Sequence, residues 1–319
     1  MGALASHLGA ARAVDALGAG VLVARPGSGF PLSVHLERFS SPARFCITDD
    51  ERLAGLGGAG MLVHVVAPAV LAEALVTGRV SVRLPRTVQV QLTGRVRPFV
   101  GARDVALEII RRGLGDVVRA VESKTGAPVV VEFGGPSARA MSVGERAVLA
   151  QIAPHVGASG CLFSSDERTE VFLRDQRRSK AHRALIADEG SACDDTLTVD
   201  MGAVDPLLID DQGAIRPVRD LAGKPVAQVL LGGDGGCTLR DLLTVAALLK
   251  SKRVSPRLEL LFAPPSRQAL EVMATEGALG DIIATGARIL EPDMRVLSGD
   301  LYPSAGPELA RAEGFSMAA

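Results

Sequence analysis

The chain carries no excess of either charge: 35 Lys and Arg face 36 Asp and Glu, a formal net charge of -1. That balance lacks the basic footprint with which proteins grip nucleic acid or anionic lipid, so neither partner is expected. Four cysteines, Cys46, Cys161, Cys193 and Cys237, form no C-x-x-C pair. Their spacing therefore indicates neither a zinc site nor a redox dithiol, and free buried thiols are the simpler reading. Apolar runs are broken by Gly, Pro or Arg well short of membrane-spanning length. The opening residues, Met1 to His7, lack a basic segment followed by a sustained apolar stretch, and a cytoplasmic location is expected. No short fixed-period repeat or low-complexity tract interrupts the chain.

What is present is a long, apolar sequence. With 319 residues and 47% hydrophobic content, two or three domains can each bury a core. From Thr87 onward the apolar period switches between two and about 3.6, the pattern of an α/β chain. Val88, Val90 and Leu92 alternate as a strand. Val105, Ile109, Ile110, Leu114, Val117, Val118 and Val121 recur at helical spacing, and Val129 to Val131 read as a buried strand. Ser142 with Glu145 forms a capping box at the start of a helix. Strands are predicted over 226–231, 258–262 and 288–290, and helices over 239–250 and 266–274. Such alternation favours parallel strands covered by helices. Residues 188–220, rich in Asp, Gly and Pro, read as a connecting segment.

Isolated polar features have modest readings. His35, Glu37 and Arg38 fall on an extended run, which puts His35 and Glu37 on one face and Arg38 on the other, in a scaffold role. His64 reads as a core histidine. The cations of residues 174–183 read as a solvated helix face. Gly232 to Cys237 could offer backbone amides to an anion, but lack the spacing of a nucleotide loop, and Asp234 would repel the anion. Asp234 with Asp241 could take a hard cation; the simpler reading is that Asp234 caps a helix.

Several ordered stretches resemble the aconitase family. They are Val34 to Phe39 (V-H-L-E-R-F), Gly57 to Met61 (G-G-A-G-M), Leu92-Thr93-Gly94, Ala102 to Val105 and Glu132 to Pro136. Met141 to Val143 with Glu145 to Ala147, Gly157 to Ser159 with Phe163, Asp166 and Thr169, Ala263 to Gln268, and Gly286 to Pro292 continue the series. The resemblance implies aconitase-like three-layer α/β/α domains: a shortened first domain over 1–85, a second over 86–198 and a third over 199–319, with the swivelling domain absent.

It also implies a four-iron, four-sulfur cluster on three thiolates, whose aligned positions here are Asp234, Met294 and Leu297. The family's D-S-H-T step aligns with Asp50, Glu51, Arg52 and Leu53, its H-Q dyad with Leu32-Ser33, and the acidic residue of its A-E-x-G-A step with His155. The arginine-rich segment beyond Gly299 has no counterpart; Arg311 stands alone there. Asp50, Glu51, Arg52, Asp234, Ser266 and Arg267 are the candidate ligand-binding residues, with no catalytic or metal set assigned and no cofactor expected. The resulting expectation is a non-catalytic aconitase homologue that binds, regulates or assembles with another protein. The alternative is a hydro-lyase acting on a hydroxy-polycarboxylic acid, with a different metal or a separate small subunit. A polycarboxylate or other anionic small molecule, and a protein partner or separate swivel-domain subunit, are the expected partners.

Overall fold

A computed structural model describes residue 24, residues 27–188 and 190–292, and the backbone of Phe315–Ala318. The chain divides into two compact units: Pro31–Gly223, and the described residues of Met1–Phe30 with those of Lys224–Ala319.

The Pro31–Gly223 unit begins with helix α1, Pro31–Arg38. Pro31 stands in its first turn, where the missing N–H is no loss, and Leu32 and Leu36 bury one stripe. The extended reading of residues 35–38 is thereby corrected. On a helix His35 lies beside Phe39 one turn on, with ring centroids 5.4 Å apart and the rings tilted at 51°, and does not share a face with Glu37. Short strands β1, Phe45–Thr48, and β2, Leu62–Val65, pair in parallel and flank the 3-10 segment Glu51–Ala59. Helix α2, Pro68–Thr77, follows.

The main sheet is built from β3, Arg86–Thr93, β4, Val129–Gly134, β5, Gly160–Phe163, and β6, Asp195–Asp200. Its order is β5-β4-β3-β6 and every pairing is parallel. Val88, Val90 and Leu92 are fully buried, as their alternation requires, in one core with Val131, Phe133, Cys161 and Val199. Helices α3, Ala102–Arg111, and α4, Leu114–Thr125, supply Val105, Ile109, Leu114 and Val118 to it. The single helical period across residues 105–121 is thus two helices, because Gly113 between them adopts φ 84°. Asp195–Asp200 corrects the connecting-segment reading of residues 188–220. With only Leu197 and Val199 apolar, β6 is too short and too polar to announce itself, and its pairing with β3 makes it a strand.

Helix α5, Pro136–Ala140, and helix α6, Val143–Ala150, follow β4. The Ser142 capping box at α6 forms as the sequence indicates: Ser142 Oγ accepts from the Glu145 N–H at 3.3 Å, and Glu145 Oε2 accepts from the Ser142 N–H at 2.8 Å. Ser142→Ala is expected to cost about 1 kcal/mol in urea unfolding; no change in midpoint would show the box to be redundant. The Glu51–Ala59 segment lies on α6 and β5 so closely that a Cβ on Gly57 would stand 1.8 Å from Cys161 O, and one on Gly58 2.3 Å from Ala147 N. Around it Leu32, Leu53, Leu56, Val63, Val143 and Ala147 form a second core.

Helix α7, Glu167–Asp175, ends before most of the cations of residues 174–183. Arg178 there donates to Ser40 O at 2.6 Å, so the solvated-helix reading fails for a residue that ties two segments together. The unit closes with β7, Leu207–Ile209, and β8, Ile215–Pro217, an antiparallel pair.

In the other unit β9, Val226–Gly232, leads through the glycine loop to α8, Leu239–Leu249. Then come β10, Glu259–Ala263, α9, Arg267–Thr275, α10, Ala278–Ala284, β11, Arg288–Ile289, and β12, Phe315–Ala318. The strands stand in the order β11-β10-β9-β12, all parallel. Leu242, Ala246, Phe262, Met273 and Ile282 form its core. The α/β alternation read from the sequence is present in both units. Among the described residues no helix is long and apolar enough to cross a membrane.

Candidate functional site

The face of the main sheet away from α3 and α4 is polar, because the residues alternating with Val88, Val90 and Leu92 are Gln89 and Gln91. Register places Gln89 beside Glu132 of β4, and Gln91 beside Gly134. A cavity of about 330 Å³ opens there, lined by Gln89, Gln91, Glu132, Gly134, Arg139 and Arg146 among others. It includes the carboxyl end of β4 and the segment just beyond β5, the edge of a parallel sheet where ligands commonly bind. Gly134 makes room for both carboxamides: a Cβ there would stand 3.2 Å from Gln91 Nε2 and 3.5 Å from Gln89 Nε2.

The cavity wall includes a buried ion pair. Arg146, 1% exposed, donates through Nη1 and Nη2 to both carboxylate oxygens of Asp166, at 2.9 and 2.7 Å. It also donates to Ser164 O and Arg139 O, and its guanidinium lies 5.7 Å from the Phe163 ring centroid. Its Nε–H has no acceptor among the described residues. Burial alone would raise the Asp166 carboxyl, but hydrogen bonds and charge from Arg146, with the Arg168 and Thr169 amides, hold it below the usual carboxylate range. Glu132 has no such cation, and burial pushes its carboxyl up.

The residues singled out from the sequence fall elsewhere. Asp50 caps the Glu51–Ala59 segment by accepting from Arg52 N, and receives Arg52 Nε at 2.7 Å and Nη2 at 2.5 Å. Burial would raise its carboxyl, and the Arg52 bonds and charge outweigh it, so Asp50 sits low and is a poor base at neutral pH. His35 faces the same neighbourhood: burial lowers its imidazole, opposed by a backbone bond at Pro31 and the charge of Asp50. Glu51 is exposed, as is His155.

Asp234, Ser266 and Arg267 belong to the other unit. Asp234 sits half-buried in the glycine loop; the helix cap expected of it is made by Thr238, whose side chain accepts from Asp241 N. Asp241 in turn accepts from the Thr238 N–H at 2.8 Å, which occupies the carboxylate considered for a hard cation. Ser266 caps α9, accepting from Ala269 N at 3.1 Å, and Arg267 Nε donates to Gly27 O at 2.7 Å. Met294, Leu297 and Arg311 lie outside the described residues. The cavity residues went unassigned from the sequence, although a Glu inside the apolar run Val129–Phe133 was a visible signal.

The two units define an α/β protein of parallel sheets covered by helices, with the cavity of Pro31–Gly223 on a sheet face. The family model for the aconitase family (aconitate hydratase) matches residues 11–212, and the chain belongs to that family. Among its relatives is the 3-isopropylmalate dehydratase large subunit 2 of Archaeoglobus fulgidus, 28% identical over 269 residues, 84% of this chain and 63% of the relative. The 3-isopropylmalate dehydratase large subunit of Elusimicrobium minutum is 25% identical over 279 residues, 86% of this chain and 64% of the relative. The large subunit 1 of Thermotoga maritima is 25% identical over 281 residues, again 86% and 64%. The chain thus spans under two thirds of the length of these relatives, which are hydro-lyases by name.

Membership overturns the expectation of no cofactor, because the family's dehydratases carry a four-iron, four-sulfur cluster. Among the described residues no group of three or more His, Cys, Asp or Glu could hold a metal ion. Cys161 is buried in the sheet, Cys193 exposed, and Cys46 and Cys237 half-buried, none disulfide-bonded. The described residues therefore do not by themselves fit a three-thiolate cluster, and no chemical step is derived through it.

Proposed function

We propose that the chain is the large-subunit-type component of a hydro-lyase that acts, with a separate small subunit, on a hydroxy-carboxylic acid of the 3-isopropylmalate or aconitate kind. The observation that carries this reading is that the family's ordered stretches form the packed heart of Pro31–Gly223. Gly57 and Gly58 press on Cys161 and Ala147, and Arg146 of the Glu145 to Ala147 stretch holds Asp166. The relatives' designation as large subunits supports a separate partner subunit.

A second reading, a binding or regulatory homologue without turnover of its own, is favoured by the way the aligned positions are used. Asp50 is paired with Arg52, Ser266 is a helix cap, and Arg267 holds Gly27. None of these contacts leaves a base positioned for proton abstraction.

The test is anaerobic reconstitution with iron and sulfide, followed by an ultraviolet assay of the unsaturated acid formed from 3-isopropylmalate or consumed from cis-aconitate. The assay is run on the chain alone and with an isopropylmalate dehydratase small subunit. The hydro-lyase reading expects turnover only with the small subunit. Stable complex formation without turnover on either acid would overturn it in favour of the second reading.

A further inference from the structure

The cavity on the polar sheet face has a charge pattern that a polycarboxylate does not match. Arg146 and Asp166 neutralise each other. Of the remaining charges in its lining, Glu132 and Arg139 are opposite in sign, and neither has an ion-pair partner among the described residues. The Gln89 and Gln91 carboxamides, brought together over Gly134, likewise make no side-chain hydrogen bond among the described residues. A buried or half-buried polar group without a partner is normally completed by water or ligand. A dianionic acid would set one carboxylate against Glu132, whereas a molecule with one ammonium and one carboxylate meets both charges.

We propose that this cavity binds an α-amino acid, with its ammonium on the Glu132 carboxylate and its carboxylate on Arg139 and the glutamine N–H groups. Pro136 and Ile186 supply apolar lining for the side chain. The volume, about 330 Å³, lies at the small end of ligand sites, which run to roughly 300–1,000 Å³, and suits a single metabolite. Burial raises the Glu132 carboxyl in the free protein, and a bound ammonium opposes that shift. The proposal stands whether or not the chain turns over an acid.

Isothermal titration calorimetry of the full chain with each of the twenty common L-α-amino acids tests this. Every binder is compared with its deaminated acid and its decarboxylated amine. Saturable binding of at least one amino acid is expected, with the acid and the amine each at least tenfold weaker. Glu132→Gln and Arg139→Gln, at half-buried and exposed positions, should each weaken it tenfold or more while leaving the thermal unfolding midpoint unchanged. No saturable heat with any amino acid, equal binding of the amine-free acid, or wild-type affinity in both variants would overturn the proposal.

Discussion

Asp166→Asn is expected to destabilise the Pro31–Gly223 unit by about 3–5 kcal/mol, the cost of leaving a buried guanidinium without its counter-charge. Arg146 is 1% exposed and cannot turn to solvent for compensation. At roughly 2–4 °C per kcal/mol for a unit of this size, the midpoint should fall by about 6–20 °C. The double variant Asp166→Asn with Arg146→Met should lose less than the single one, because an apolar side chain in the same space removes the stranded charge. The pH dependence follows from the lowered carboxyl. A group whose folded-state value is depressed stabilises the fold above its unfolded value, and that stability disappears as pH falls through the depressed one. Wild type should therefore lose this contribution below the ordinary carboxylate range, while the Asn variant lacks it already at pH 7. Urea unfolding of the three proteins at pH 7 and near pH 3 decides; a loss under about 1 kcal/mol at pH 7 would show that the pair contributes only as a surface bridge does.

Gly57→Ala should be comparably damaging for a different reason. Its new Cβ would be 1.8 Å from Cys161 O, a main-chain atom of β5 that has no rotamer with which to give way. Overpacking of this kind costs about 1–3 kcal/mol and more where backbone must shift, so a loss of about 3 kcal/mol or more is expected. Gly58→Ala, against Ala147 N at 2.3 Å, should behave likewise. Gly126→Ala serves as the contrast: nothing lies within 4 Å of its Cβ, and only its left-handed backbone, φ 65°, is penalised. Its loss should stay near 1 kcal/mol. Equal losses at Gly57 and Gly126 would mean that the Glu51–Ala59 segment yields without strain.

How legible each element was follows its local signal. Arg86–Thr93 and Val143–Ala150 carry a clean alternation and a capping box, and both form over those residues. Pro31–Arg38 has too few apolar positions to separate a period of two from one of 3.6, and its helix depends on Leu32 and Leu36 meeting the Glu51–Ala59 segment. Asp195–Asp200 is a strand because the edge of β3 accepts it, which no local preference announces. The cavity was legible only in part. Glu132, Arg146 and Asp166 stood within recognisable family stretches, but Arg146 and Asp166 lie twenty residues apart, and only folding joins them.

The sequence by itself determined the α/β class, the main strands and helices, and the aconitase resemblance, because periodicity, caps and ordered motifs act over a few residues at a time. Only the tertiary structure decided that Asp50 is tied to Arg52, that Thr238 rather than Asp234 caps its helix, and that Glu132 and Arg139 line one cavity unpaired. Those outcomes depend on which groups are buried together. Burial sets the cost of an unmatched charge, and spacing along the chain does not encode it.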